Sequence, residues 1–194
     1  MGEPVRDSES GVADDLLRYL WESRLRLLSR LDGLSEYDIR RPLTPTGTNL
    51  LGLVKHLSGI EFGYLGDCVG RPAPVVLPWV EDGSVWANAD MWATADQTRD
   101  YLVGLYRTAC AHSDRSIRVL GLAAPATVSW WPADRRNTTL GSLLVRVVAE
   151  TAQHAGHADI VRELIDGRAG NDLDDLPPDY VTNIQAAADT HRPS

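Results

Sequence analysis

Of the 194 residues only five are histidines, and two of these lie in the stretch ETAQHAGHAD, residues 150–159, together with Glu150. Imidazole nitrogen and carboxylate oxygen both ligate divalent cations, and a four-residue step on a helix lets two such side chains meet at one ion. At about 100° per residue, His154 sits about 40° from Glu150, and His157 about 20° to the other side. Val147 and Val161 share that face. The polar groups therefore interrupt a buried stripe, where a lone charge is costly unless paired or bound to metal.

Two ligands are too few for a stable site. His56 falls on the edge of an apolar stripe in an earlier helix and is the natural third, making His56, Glu150 and His154 the metal candidates. Two histidines and a glutamate form a known zinc set that leaves a coordination position open for water or substrate. A plainer reading competes with it: Glu150 and His154 as an i, i+4 ion pair, and His56 as a satisfied core histidine. His157 is expected to stand beside a ligand rather than bind the ion, because two helical turns separate it from Glu150. His112, near a helix end, and His191 are expected to be solvated.

Four segments with helical period must position these residues. The first spans about residues 14–32, carries Leu16, Leu17, Leu20, Trp21, Leu27, Leu28 and Leu31, and stops at Gly33. Trp21 is expected in the core. Ser35 and Asp38 resemble a capping box for a short turn. The second, about 49–69, is capped by Thr48 or Asn49. The third starts near Thr94, with Gln97 as a capping partner. The fourth runs from about Thr139 to Asp166 and ends at Gly167. No convincing strand alternation is present. The expectation is an all-α chain, a four-helix bundle with two long connections.

Those connections are 70–93 and 121–138. The first contains Trp79, Trp86 and Trp92, placed to close over the bundle, and loops of this length often serve as lids or binding loops. The second contains Trp130 and Trp131, candidates to wall a substrate pocket. Asp134, Arg135 and Arg136 are either substrate contacts there or solvated loop charges. The bundle is expected over 14–168. Residues 1–13 are expected to form a disordered tail, and 169–194 an acidic tail with a short helix in its last fifteen residues.

Composition limits the partners. The net charge is -8, and no run of Lys and Arg offers a basic footprint, which argues against nucleic acid or an anionic membrane. No stretch is apolar for long enough to span a bilayer. The two cysteines, Cys68 and Cys110, form no C-x-x-C pair. The N-terminus is acidic, without an apolar core, so the cytoplasm is the expected compartment.

The stretches LDGLSEYDIRRPLTPTGTNLLGLVKHLSGIE and ETAQHAGHADIVRELIDG resemble the DinB-like superfamily, in particular the branch that includes the mycothiol-dependent maleylpyruvate isomerase N-terminal domain. The resemblance implies a four-helix bundle with a divalent metal near one end. Many members use three histidines, and the mycothiol-linked branch has Glu in place of one. Matched residue by residue, the ligands fall on His56, Glu150 and His154, while His157 follows the motif glycine and is not a primary ligand. The implied cofactor is zinc, with nickel or iron as alternatives. The implied partners are a low-molecular-weight thiol (mycothiol or bacillithiol), an electrophile and a second copy in a homodimer. The isomerase's second domain has no counterpart in the short tail here, so isomerase activity is not carried over. The resemblance implies a thiol-dependent S-transferase or detoxification enzyme. A non-enzymatic metal or small-ligand binding protein and a metal-free structural bundle stand as alternatives.

Overall fold

A computed structural model describes residues 8–168 and 176–193. The remaining parts of the two expected tails lie outside the described residues. Helix α1 spans Ser8–Ser29, α2 Glu36–Arg40, α3 Leu50–Leu65, α4 Pro78–Glu81, α5 Arg99–Leu120, α6 Leu140–Asp166 and α7 Tyr180–Asp189. The architecture is all-α, with α1, α3, α5 and α6 as the bundle. α3 packs against α5 and α6, and α1 packs against α6. α1 begins at Ser8, upstream of Asp14, so residues 8–13 belong to the helix rather than to the expected tail.

Helix ends follow local chemistry. The Asn49 side chain accepts the Gly52 N–H, Thr139 accepts that of Ser142, and Gly167 closes α6 in the left-handed conformation that glycine adopts without strain. Ser35 accepts the Asp38 N–H as expected. α5 starts later than the Thr94 boundary. Thr94 and Gln97 do exchange hydrogen bonds, but they close a separate turn, and Thr98 is the cap that starts α5.

Two apolar clusters fill the bundle. One gathers Leu27, Leu53, Leu57, Leu102, Tyr106 and Val161; the other gathers Leu20, Tyr64, Leu65, Leu140, Leu144 and Val147. Burying each large aliphatic side chain contributes about 1.5–3 kcal/mol. On α1 and α3 the sequence passes from one cluster to the other through Arg24 and Glu61. These form a buried two-pronged ion pair, with both N···O distances 2.7 Å, and Arg24 also reaches Asp114 at 2.7 Å. On α6 the passage runs through Glu150 and Thr151.

This polar layer overturns one expectation. Trp21 is 57% exposed, because Arg24 takes the inward direction between Leu20 and Leu27. A charged residue reads as outward-facing until its partner on another helix is known. His112 is also buried rather than solvated: Nε2 lies 2.8 Å from the Arg71 carbonyl oxygen, and the ring packs on Phe62.

The two connections are ordered by the bundle. Residues 70–93 contain α4 and a 3-10 turn at Ser84–Ala87. The connection from residue 121 holds a small antiparallel hairpin that the sequence did not reveal and that runs one residue past 138, β1 (Pro125–Thr127) against β2 (Asn137–Thr139), with Ala126 opposite Thr138. Three-residue strands are too short to show alternation. The hairpin leads directly into α6 and carries Trp130 and Trp131 at its tip. No helix among the described residues is long and apolar enough to cross a membrane.

Candidate functional site

α3 and α6 lie side by side and bring His56, Glu150 and His154 together. One ligand atom from each lies within 4.8 Å of the other two. His56 Nε2 is 3.6 Å and His154 Nε2 3.4 Å from the same oxygen, Glu150 Oε1. A charge-assisted hydrogen bond closes to about 2.7–2.9 Å. The observed gaps are wider, and are close to the separation of about 3.3 Å between donors that share a tetrahedral ion with bonds of 2.0–2.1 Å. The spacing therefore suits a shared cation better than a direct ion pair.

The far side of each ring supports this geometry. His56 Nδ1 is 2.6 Å from Asp90 Oδ2. A carboxylate there draws the ring proton to Nδ1 and leaves the Nε2 lone pair free, the arrangement common behind metal-binding histidines. His154 Nδ1 lies 3.3 Å from Nδ1 of exposed His157. With the proton of His154 on Nδ1 and donated to His157, its Nε2 also offers a lone pair. Burial, followed by the neighbouring His56, holds the His154 pKa below its usual 6.5, which favours the neutral form.

Asp90 is the contributor that the sequence concealed. It lies in the aperiodic connection, so no helical spacing links it to His56. Several contacts on α3 hold its segment in place. Lys55 is buried, and its Nζ donates to Ala89 O at 2.6 Å and Trp92 O at 2.9 Å. Asn49 Nδ2 donates to Met91 O at 3.1 Å. Gly52 matters here, because a Cβ at this position would collide with the Met91 carbonyl.

A cavity of about 610 Å³ opens beside His56 and Asp90, between α3 and the 70–93 connection. Trp79, Trp86 and Trp130 line it. Trp131 is not in the lining and packs on Tyr64 instead, as does Arg146. Trp92 is half exposed and also lies outside the cavity. Asp134, Arg135 and Arg136 are exposed and do not line it.

Neither cysteine offers a ready nucleophile. Burial pushes the Cys68 thiol up to about 11, and burial next to Glu61 pushes Cys110 higher still. A thiolate is the reactive form, so sulfur chemistry at this site would need a thiol from outside the chain.

No curated protein matches the sequence. A family model described as mycothiol-S-transferase matches residues 15–167, which hold the three converging residues and all of the bundle except the first turns of α1. The chain therefore belongs to the mycothiol-S-transferase family, a DinB-like family.

Proposed function

We propose that the chain is a metal-dependent S-transferase that joins mycothiol to an electrophile. His56 Nε2, Glu150 and His154 Nε2 would hold a divalent ion, zinc first, with nickel or iron as alternatives. The carrying observation is the convergence of these three side chains from two helices, with both Nε2–Oε1 gaps longer than a charge-assisted hydrogen bond and suited to a common ion. When bound, such an ion would supply Lewis acidity that favours the thiolate form of the thiol at neutral pH. Membership of the family supports mycothiol as that thiol.

The chain's own residues have separate roles in this reading. Asp90 accepts the Nδ1 proton of His56 and fixes the ring. His157 accepts from His154 and does the same on α6. The cavity beside His56 holds the electrophile. The thiol sulfur forms a bond to the electrophilic carbon, the leaving group departs with its bonding pair, and the thiol proton passes to solvent. Three protein ligands leave a fourth coordination position, which would take the incoming sulfur.

The test is turnover. Zinc-loaded protein is expected to conjugate mycothiol to a small panel of electrophiles, and His56→Ala, Glu150→Ala and His154→Ala to abolish it. Metal bound in stoichiometric amount with no conjugation by any thiol would instead favour a non-enzymatic binding protein.

A further inference from the structure

We propose that the cavity beside His56 selects uncharged, apolar electrophiles and rejects anionic ones, an inference that rests on the transferase reading above. The walls are mostly hydrocarbon and aromatic: Ile60, Val75, Trp79, Val85, Trp86 and Trp130. The volume of about 610 Å³ is that of a pocket for a drug-sized molecule.

Charge decides which molecule. Apart from His56, the ionisable acids and bases in the lining are Asp67, Glu81, Asp90 and the phenol of Tyr64; no Lys or Arg is among them. The cations near the cavity are engaged elsewhere, Arg71 with Ser116. Lys55 donates to two backbone carbonyls, with its ammonium 4.4 Å from the Trp79 ring centroid. Arg146 lies over the rings of Tyr64 and Trp131. An anionic substrate would lose its hydration among apolar walls, find no Lys or Arg, and meet the exposed carboxylates of Asp67 and Glu81; the charge of an ion at His56 would be offset by Glu150 and the incoming thiolate. An uncharged aromatic or aliphatic electrophile meets none of these penalties.

The same lining argues against the thiol as occupant. Mycothiol is a sugar-linked thiol rich in hydroxyl groups, and hydroxyls buried without partners are costly. Besides the acids, the lining offers Asn88, His56, the Tyr64 phenol and the indole N–H groups of Trp79, Trp86 and Trp130, a sparse set for a molecule that carries hydroxyls along its whole length. The sulfur therefore approaches from the open side of the three ligand atoms, and the electrophile from the cavity.

A matched pair of probes tests this. A chloronitrobenzoate and its methyl ester carry the same reactive carbon: sulfur bonds to the ring, chloride leaves with the carbon–chlorine pair, and the thiol proton goes to solvent. With the zinc-loaded full chain and mycothiol, kcat/KM for the ester, corrected for its uncatalysed rate, is expected to exceed that for the carboxylate by about tenfold or more. Glu81→Lys is expected to narrow the ratio by improving the carboxylate. A ratio near one, or a preference for the carboxylate, overturns the proposal and leaves the transferase reading standing.

Binding is read separately, without turnover. Methyl nitrobenzoate, which lacks the chlorine, is expected to quench tryptophan fluorescence saturably in the absence of thiol, and nitrobenzoate to do so far more weakly. That result with no turnover of either chlorinated probe or of any electrophile in the panel upholds the cavity's selectivity and sinks the transferase reading. Displacement of the quencher by mycothiol shows that the thiol occupies the cavity and overturns the proposal.

Discussion

At the scale of single residues, the three proposed ligands were legible because each interrupts or borders an apolar stripe. The helical period placed Glu150 and His154 on one face and His157 beside them, exposed in the structure. Asp90 was not legible, since its link to His56 is made through space from an aperiodic loop. Its role leads to a prediction. Asp90→Asn keeps the size but removes the charge behind His56, and is expected to weaken zinc binding by about 10–100-fold, measured by competition with a chelator. His157→Ala is expected to weaken it less than either ligand substitution on α6. The depressed pKa of His154 predicts a pH effect on the metal-free protein. Below the ordinary 6.5, the unfolded chain binds a proton at this position that the folded chain resists. That contribution is unfavourable to folding in acid and vanishes as pH rises above 6.5. Thermal melts of the metal-free protein should show stability falling as pH drops through this window, with a flatter profile for His154→Gln.

At the scale of elements, the caps were readable and the irregular connections were not. Asn49, Thr139 and Gly167 mark helix ends by side-chain or backbone chemistry that acts within a few residues. The hairpin at 125–127 and 137–139 depends on pairing between short segments, and it docks on the bundle through Leu140 N to Ala124 O and Gly141 N to Leu122 O, both 2.8 Å. The contact between α3 and the 88–92 segment is equally non-local, and it is the one on which the site depends. Gly52→Ala forces a methyl group into the Met91 carbonyl. The substitution is expected to cost about 1–3 kcal/mol in chemical denaturation. Because Asp90 is adjacent to Met91, zinc affinity should fall as well. An unchanged affinity with reduced stability would show that the segment holds the fold but not His56.

At the scale of the whole molecule, the bundle is two apolar clusters divided by a charged layer. Helical period alone predicts a continuous core, which is why Trp21 was expected in the place that Arg24 occupies. Arg24 joins α1 to Glu61 on α3 and Asp114 on α5, so the ion pair ties three of the four helices together. Arg24→Met leaves Glu61, which is fully buried, without its partner. A loss of about 3–5 kcal/mol is expected, and Arg24→Met combined with Glu61→Met should recover most of it. A double variant as unstable as the single one would contradict the assignment of the cost to an uncompensated charge.

In the proposed function His56, Glu150 and His154 share one ion that sulfur can approach. The most direct measurement is an anomalous difference map at the zinc edge, from crystals of zinc-loaded protein. A strong peak is expected between His56 Nε2, the Glu150 carboxylate and His154 Nε2. Zinc held elsewhere, or no peak there with the three side chains closed into direct hydrogen bonds, would contradict it.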